Sequence, residues 1–346
     1  MRLLVVSQKV DKKDPILGFF HHWLEELSGR FEDLVVICLE EGEHNLPGNV
    51  RVLSLGKEKG GSKLKYLKNF YKYIWNERKN YDGVFVHMNQ EYVLLGWKFW
   101  KLWGKKIYLW RNHPEGSWLT RMSVTVSNKV FCTSKQSYTA RFKKTKIMPV
   151  GIDEDIYKGR EQNQNNNNLL FFGRLSTVKN VHIFIHALSI LNEGNADFRA
   201  DIIGSPTDER GKEYENKLHE IGNDLVRAGK LAFKPAISPD ENITLYAKYD
   251  LYVNLTPDGS FDKTILEAAA SAVPVLASNS ALRGVVDGRC YLPELEPKVV
   301  SGRIKEFLGL DISEKNKIGQ ELREFVVRSH SLKQLVSLLE AEMTQS

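Results

Sequence analysis

Short apolar runs separated by helical patterns recur in two series along this chain, and that rhythm limits the folds open to it. The runs RLLVVS, DLVVICL, VRVLSL, GVFVHM, KIYLW, KVFCTS and KIMPV all precede residue 151. Strands alternating with helices predict a parallel sheet covered on both faces. The rhythm stops at GIDEDIYKGREQNQNNNN, whose Asn and Gln tract over 162–168 is too polar to bury. We read 156–168 as an exposed hinge. A second series follows, with NLLFFG, FRADIIG, KLAFKP, DLYVNL and PVLAS as strands. Its first helix carries Val181, Phe184, Ile185, Leu188 and Leu191 on one face. The expected architecture is α/β: two tandem Rossmann-like, doubly wound parallel-sheet domains over 1–155 and 169–330. An interdomain cleft is expected where the carboxyl ends of the strands meet. A last helix over 331–346, with Leu332, Leu335, Val336 and Leu339 on one face, can cross back to the first domain.

At 346 residues the chain can build two cores of ordinary size, so no staple is needed. Its three cysteines, Cys38, Cys132 and Cys290, show no metal-ligand spacing and sit mostly in apolar runs. They read as buried thiols in a reducing cytoplasm. MRLLVVSQ is too short for a signal-peptide core and reads as a first strand. No apolar run is long enough to span a bilayer, so the expected location is cytoplasmic. With 49 basic against 43 acidic residues the net charge is only +6, a mild bias towards anionic partners and no nucleic-acid signature. Neither half has GxGxxG after its first strand, which disfavours a dinucleotide dehydrogenase, and the absence of GxxxxGK[ST] disfavours a P-loop enzyme.

Two segments of the second half carry the chemistry. FFGRLSTVKN places Arg174 just after a strand and Lys179 near the next helix, so both cations can converge above the strand end. Such a pair suits a phosphate oxygen cluster, Arg by a bidentate fork and Lys as a point charge. Taken alone, an Arg and a Lys near a strand end read more readily as surface charges than as a site. In TPDGSFDKTILEAAASAVPVLAS a turn with Asp258, Gly259 and Ser260 enters a helix beginning near Asp262 to Thr264. Free N–H groups at that helix start form an anion and hydroxyl cradle. Glu267 lies one turn inside, as an acceptor for paired hydroxyls or as an ordinary glutamate favoured by the helix dipole.

In order and spacing these two motifs resemble the donor-domain signatures of retaining glycosyltransferase family 4, of GT-B fold. LWRNHPEGS, KVFCTSKQSYTARF and KIMPVGIDEDIYK extend the likeness, which is most specific over 130–278. The resemblance implies that Arg174 and Lys179 bind the diphosphate of a nucleoside-diphosphate sugar and that Glu267 holds the ribose. It implies that His113 reaches the transferred sugar, and that Gly18 turns its backbone towards the phosphates. Gly259 stands where the family's first glutamate is usual. In this variant the backbone of Ser260, Phe261 and Asp262, with Asp258 and Lys263, contacts sugar hydroxyls and phosphate. Transfer with retention follows, without metal or other cofactor, to a glycan or lipid-linked acceptor. A non-catalytic nucleotide-sugar-binding scaffold or another GT-B enzyme such as an epimerase would share these features.

SKLKYLKNFYKYIWNERK adds a basic amphipathic helix with an apolar stripe of Leu64, Leu67, Phe70, Tyr71 and Ile74. Together with LLGWKFWKLWGKK it can lie on an anionic membrane surface, or cover the first sheet. His87, at the end of GVFVHM, reads as either a site or a core residue.

Overall fold

The β-branched and aliphatic runs become buried parallel strands. In a computed structural model that describes residues 1–159, 167–257 and 262–345, they form two separate sheets. The chain divides into one unit of Met1–Gly151 with Leu332–Ser346, and a second of Ile152–Ser331.

The first unit runs β1 (Leu3–Val10), α1 (Phe19–Ser28), β2 (Leu34–Glu41), β3 (Val50–Ser54), α2 (Lys63–Asn76), β4 (Gly83–His87), α3 (Gln90–Leu102), β5 (Lys106–Trp110), α4 (Trp118–Val126), β6 (Lys129–Cys132) and β7 (Thr145–Ile147). Its sheet has the order β3-β2-β1-β4-β5-β6-β7, all parallel. The strand order reverses between β1 and β4, the place where open α/β sheets bind ligands. The second unit runs β8 (Asn168–Phe172), α5 (Val181–Glu193), β9 (Arg199–Ile203), α6 (Glu209–Arg227), β10 (Leu231–Lys234), α7 (Pro239–Leu245), β11 (Leu251–Asn254), α8 (Lys263–Ala270), β12 (Val275–Ala277), α9 (Pro297–Leu308) and α10 (Ile312–His330). Its parallel sheet, β10-β9-β8-β11-β12, reverses between β8 and β11.

The last helix, α11 (Leu332–Thr344), buries Leu332, Leu335, Val336, Leu339 and Met343 with Trp23 and Leu24 of α1 in the core of the first unit. The Tyr108 hydroxyl donates to the Met343 carbonyl at 2.8 Å, and Lys129 and Lys146 both pair with Glu342. Gly151 has φ +79°, and a Cβ there would stand 2.5 Å from Leu335 Cδ2, so the turn needs glycine.

Of the tract over 162–168, residues 162–166 lie outside the described residues. Asn168, counted with the hinge in the sequence reading, instead opens β8. Its amide donates to Asp250 Oδ2 at 2.9 Å, because the strand needs an acceptor at its first residue. All three cysteines are buried, and burial pushes the Cys38 and Cys290 thiols up to about 12. The stripe on α2 divides: Phe70 and Ile74 enter the core under the sheet, whereas Leu64 is 79% exposed.

Candidate functional site

In the second unit, α8 with its N-cap carries three of the predicted donor residues, Asp262, Lys263 and Glu267, at the β8/β11 reversal. Asp262 is its N-cap, with Oδ1 accepting from the Thr264 amide and from Thr264 Oγ1 at 3.0 Å. Its other oxygen accepts from Lys179 Nζ, from Asn254 Nδ2 at 3.1 Å and from Thr256 Oγ1 at 3.2 Å. Burial opposes ionisation of this carboxyl, but the Lys179 charge and hydrogen bond, helped by Asn254 and Thr264, hold it below the usual range.

The Lys179 stem passes Gly173 at an ordinary contact distance. A Cβ at Gly173 would lie 3.9 Å from Lys179 Cε. The strand-end backbones also run close together here, since a Cβ on Gly204 would fall 1.9 Å from the Gly173 carbonyl oxygen. Arg174 and Lys179, expected to converge above this strand end, differ in their surroundings. Lys179 has a half-buried counter-ion in Asp262, whereas Arg174 is exposed and has no ion pair among the described residues.

One turn further along α8, Glu267 is 5% exposed. Its Oε2 accepts from Tyr246 OH at 3.0 Å and Asn242 Nδ2 at 3.2 Å, and Oε1 faces Lys263 Nζ at 3.2 Å. Tyr157 closes the group through Asn242, whose amide also donates to the Tyr157 hydroxyl at 3.3 Å. Burial and the nearby Glu267 charge push both the Tyr157 and Tyr246 hydroxyls far up, so both remain protonated donors. The two ion pairs belong to one array: Tyr252, whose hydroxyl donates to Thr264 Oγ1 at 2.7 Å, packs edge-on against Tyr246 at 5.6 Å. From α10, Arg323 grips the carbonyls of Tyr157 and Ala270, which pins the start of the unit to the end of α8.

The sequence reading missed Asn242, Tyr246 and Tyr157 as partners of Glu267. Their only signal was an unremarkable capped helix, SPDENITLY, since the pairing spans 21 to 110 residues of chain. Asp258, Gly259, Ser260 and Phe261 lie outside the described residues.

The other two predicted residues are in the first unit. His113 follows β5 on an exposed turn; its Nδ1 accepts from the Glu115 amide at 3.0 Å, and its carbonyl accepts from the Tyr138 amide at 2.8 Å. Gly18 caps α1, and its amide donates to the Asp14 carbonyl at 2.9 Å. A Cβ at Gly18 would sit 2.6 Å from the Asp14 oxygen, so the backbones approach closely at this turn. His87 is a core residue. It stacks on Phe20 at 4.1 Å, and burial lowers its imidazole to about 3.

Against known proteins, residues 153–287 match the family Glycosyl transferases group 1. Spore coat protein SA of Bacillus subtilis is 27% identical over 174 residues, covering 45% of this chain and 46% of that protein. D-inositol 3-phosphate glycosyltransferase of Corynebacterium urealyticum is 30% identical over 110 residues, covering 31% of this chain and 26% of the relative. These matches thus span less than half the length of either curated relative. Among solved structures, Anabaena Alr3699/HepE in complex with UDP and glucose superposes with a TM-score of 0.76 at 19% identity, over 100% of both chains. The second unit carries the group 1 glycosyl transferase likeness, and the two Rossmann-like units are those of the GT-B fold.

Proposed function

We propose that the chain is a retaining, metal-independent glycosyltransferase that takes a sugar from a nucleoside-diphosphate donor to a hydroxyl of a glycan or lipid-linked acceptor. The reading is carried by the α8 array, Asp262 with Lys179 and Glu267 with its tyrosines, at the reversal point of a sheet within the matched segment. In this reading Arg174 meets the diphosphate first. Asp262 holds the Lys179 ammonium in place until phosphate oxygens compete for it. Negative charge grows on the departing phosphate, and fixed cations there stabilise it without reorganising. Glu267 offers its carboxylate to ribose hydroxyls when Lys263 turns away from it. His113 serves the transferred sugar. UDP, which the Anabaena protein binds, is the first donor base to try.

A panel of nucleotide sugars, read first by thermal shift and then by product formation, tests the activity. Arg174→Ala and Lys179→Ala should each lower turnover about a hundredfold, equivalent to about 2 to 4 kcal/mol. Near-normal rates in both variants defeat the assignment.

The same reading places the first unit against an anionic membrane. Leu64, Trp75 and Leu102 are exposed on α2 and α3; Trp75 packs on Trp103 at 5.6 Å under Arg78, while Lys98 and Lys101 lie over Trp97. Apolar rings amid lysines suit a lipid interface. Flotation with vesicles containing phosphatidylserine, and none with neutral vesicles, is the expected result.

A further inference from the structure

The two oxygens of Glu267 lie in unlike settings. Oε2 accepts from Tyr246 OH at 3.0 Å and from Asn242 Nδ2 at 3.2 Å, whereas Oε1 faces Lys263 Nζ at 3.2 Å. Asn242 lies in α7 and Tyr246 caps its C-terminal end four residues later, so both side chains leave one face of the turn. The register of α7 is fixed at its start by a capping box. The Ser238 amide donates to Glu241 Oε2 at 2.9 Å, and the Glu241 amide donates to Ser238 Oγ at 3.3 Å. The Tyr246 ring is fully buried and held edge-on by Tyr252 at 5.6 Å and Phe172 at 6.0 Å. Its hydroxyl is thereby fixed on the carboxylate. Asn242 Nδ2 donates to both Glu267 Oε2 and the Tyr157 hydroxyl, which leaves Oδ1 buried and without a hydrogen-bond partner among the described residues. Turning the amide over would set its carbonyl oxygen against the carboxylate. An unmet buried carbonyl is costly, so it is the donor side of this amide that the fold retains.

We infer that Asn242 and Tyr246 are positioning residues for donor recognition: they hold Oε2 of Glu267 inward, so that Oε1 alone meets the ribose hydroxyls, in the place Lys263 occupies. The inference rests on the proposed ribose role of Glu267 and adds the two residues that set its aim. A glutamate held at neither oxygen turns about its side-chain torsions and must give up that freedom when ribose binds. Here two donors have already removed it. Both donors are neutral, so they orient the carboxylate without cancelling its charge. Lys263 is a different kind of partner, since its side chain is 29% exposed and its flexible stem can carry the ammonium back to water when a hydroxyl takes its place. One carboxylate oxygen has two lone-pair positions, enough for two adjacent hydroxyls.

The test uses the full chain and titrates UDP, ADP and GDP calorimetrically, each against its 2′,3′-dideoxy form. At least one diphosphate should bind the unsubstituted chain about tenfold or more tightly than its dideoxy form, and Glu267→Ala should erase that ratio. Tyr246→Phe, which keeps the packed ring, and Asn242→Ala should each cut the ratio to about threefold or less, with affinity for the dideoxy form unchanged. A purely structural role would lower the thermal midpoint and leave the ratio as it was. Tyr246→Phe carries the test if Asn242→Ala fails to fold. A ratio retained in either folded variant, when Glu267→Ala has lost it, overturns the inference and leaves the ribose role standing. Loss of both nucleotide forms together marks a collapsed site and overturns it too. If none of the diphosphates binds, if the unsubstituted chain binds ribose and dideoxy forms equally, or if the ratio survives Glu267→Ala, the ribose role falls and the inference with it.

Discussion

The two sheets end in the same way and treat their cations in opposite ways. In the second unit, Lys179 stands among Asp262, Asn254, Thr256 and Thr264, and each of those groups is hydrogen-bonded to the shared carboxylate. In the first unit, Arg111 follows β5 and keeps its buried Nη1 without a hydrogen-bond partner among the described residues. Burial lowers the Arg111 pKa, with the fields of Glu91 and Tyr138 opposing only in part, so its charge is not compensated from within. A sheet edge that satisfies its own charge is stable when empty and must exchange partners to bind.

Breaking the satisfied edge should have the largest effect. Asp262→Ala strands the Lys179 ammonium and removes the cap of α8, and should destabilise the second unit by about 3 to 5 kcal/mol. Hydrogen exchange at the amides of β8 and β11 reads this locally. Asp262→Asn, which keeps the cap, should recover part of the loss, and full protection in the Ala variant would show that the pair is not structural.

A middle-sized effect is expected from His87, at the end of β4. Its folded pKa of about 3 lies below the unfolded value of about 6.5. The neutral ring therefore contributes stability fully above the unfolded pKa, and that contribution is lost as pH falls towards 3 because the unfolded chain takes the proton first. The loss should reach about 2 kcal/mol near pH 5, and His87→Phe should remove it from the pH profile of unfolding. An unchanged profile in that variant rules out His87 as the source.

The smallest effect has the opposite sign to the first. Arg111→Met replaces a half-buried cation, whose Nη1 lacks a hydrogen-bond partner among the described residues, with an apolar chain of similar length and should raise stability by about 1 kcal/mol. A clear drop in the thermal midpoint would mean that Arg111 is satisfied after all, and the contrast between the two edges would disappear.

The fold was legible because its signal is local. A five-residue apolar run between helical patterns has few places to go but the interior of a parallel sheet, and GVFVHM, KIYLW and DLYVNL all went there. The candidate site was legible only in part. Arg174, Lys179 and Glu267 could be named from motif spacing, yet the partners that set their charge could not. Lys179 meets Asp262 across 83 residues, and Glu267 meets Asn242 across 25. Arg111 carries no such mark: it follows a strand as Arg174 does, but without a motif partner such as Lys179.

Periodicity and turn chemistry, which act over a few residues, determined that this chain makes two parallel sheets and puts cations at their carboxyl ends. Tertiary packing decided which of those cations is neutralised, which is exposed and which is half-buried with an unpartnered N–H. Charge compensation depends on the surroundings within a few ångströms, and in a doubly wound fold those surroundings are assembled from strands far apart along the chain.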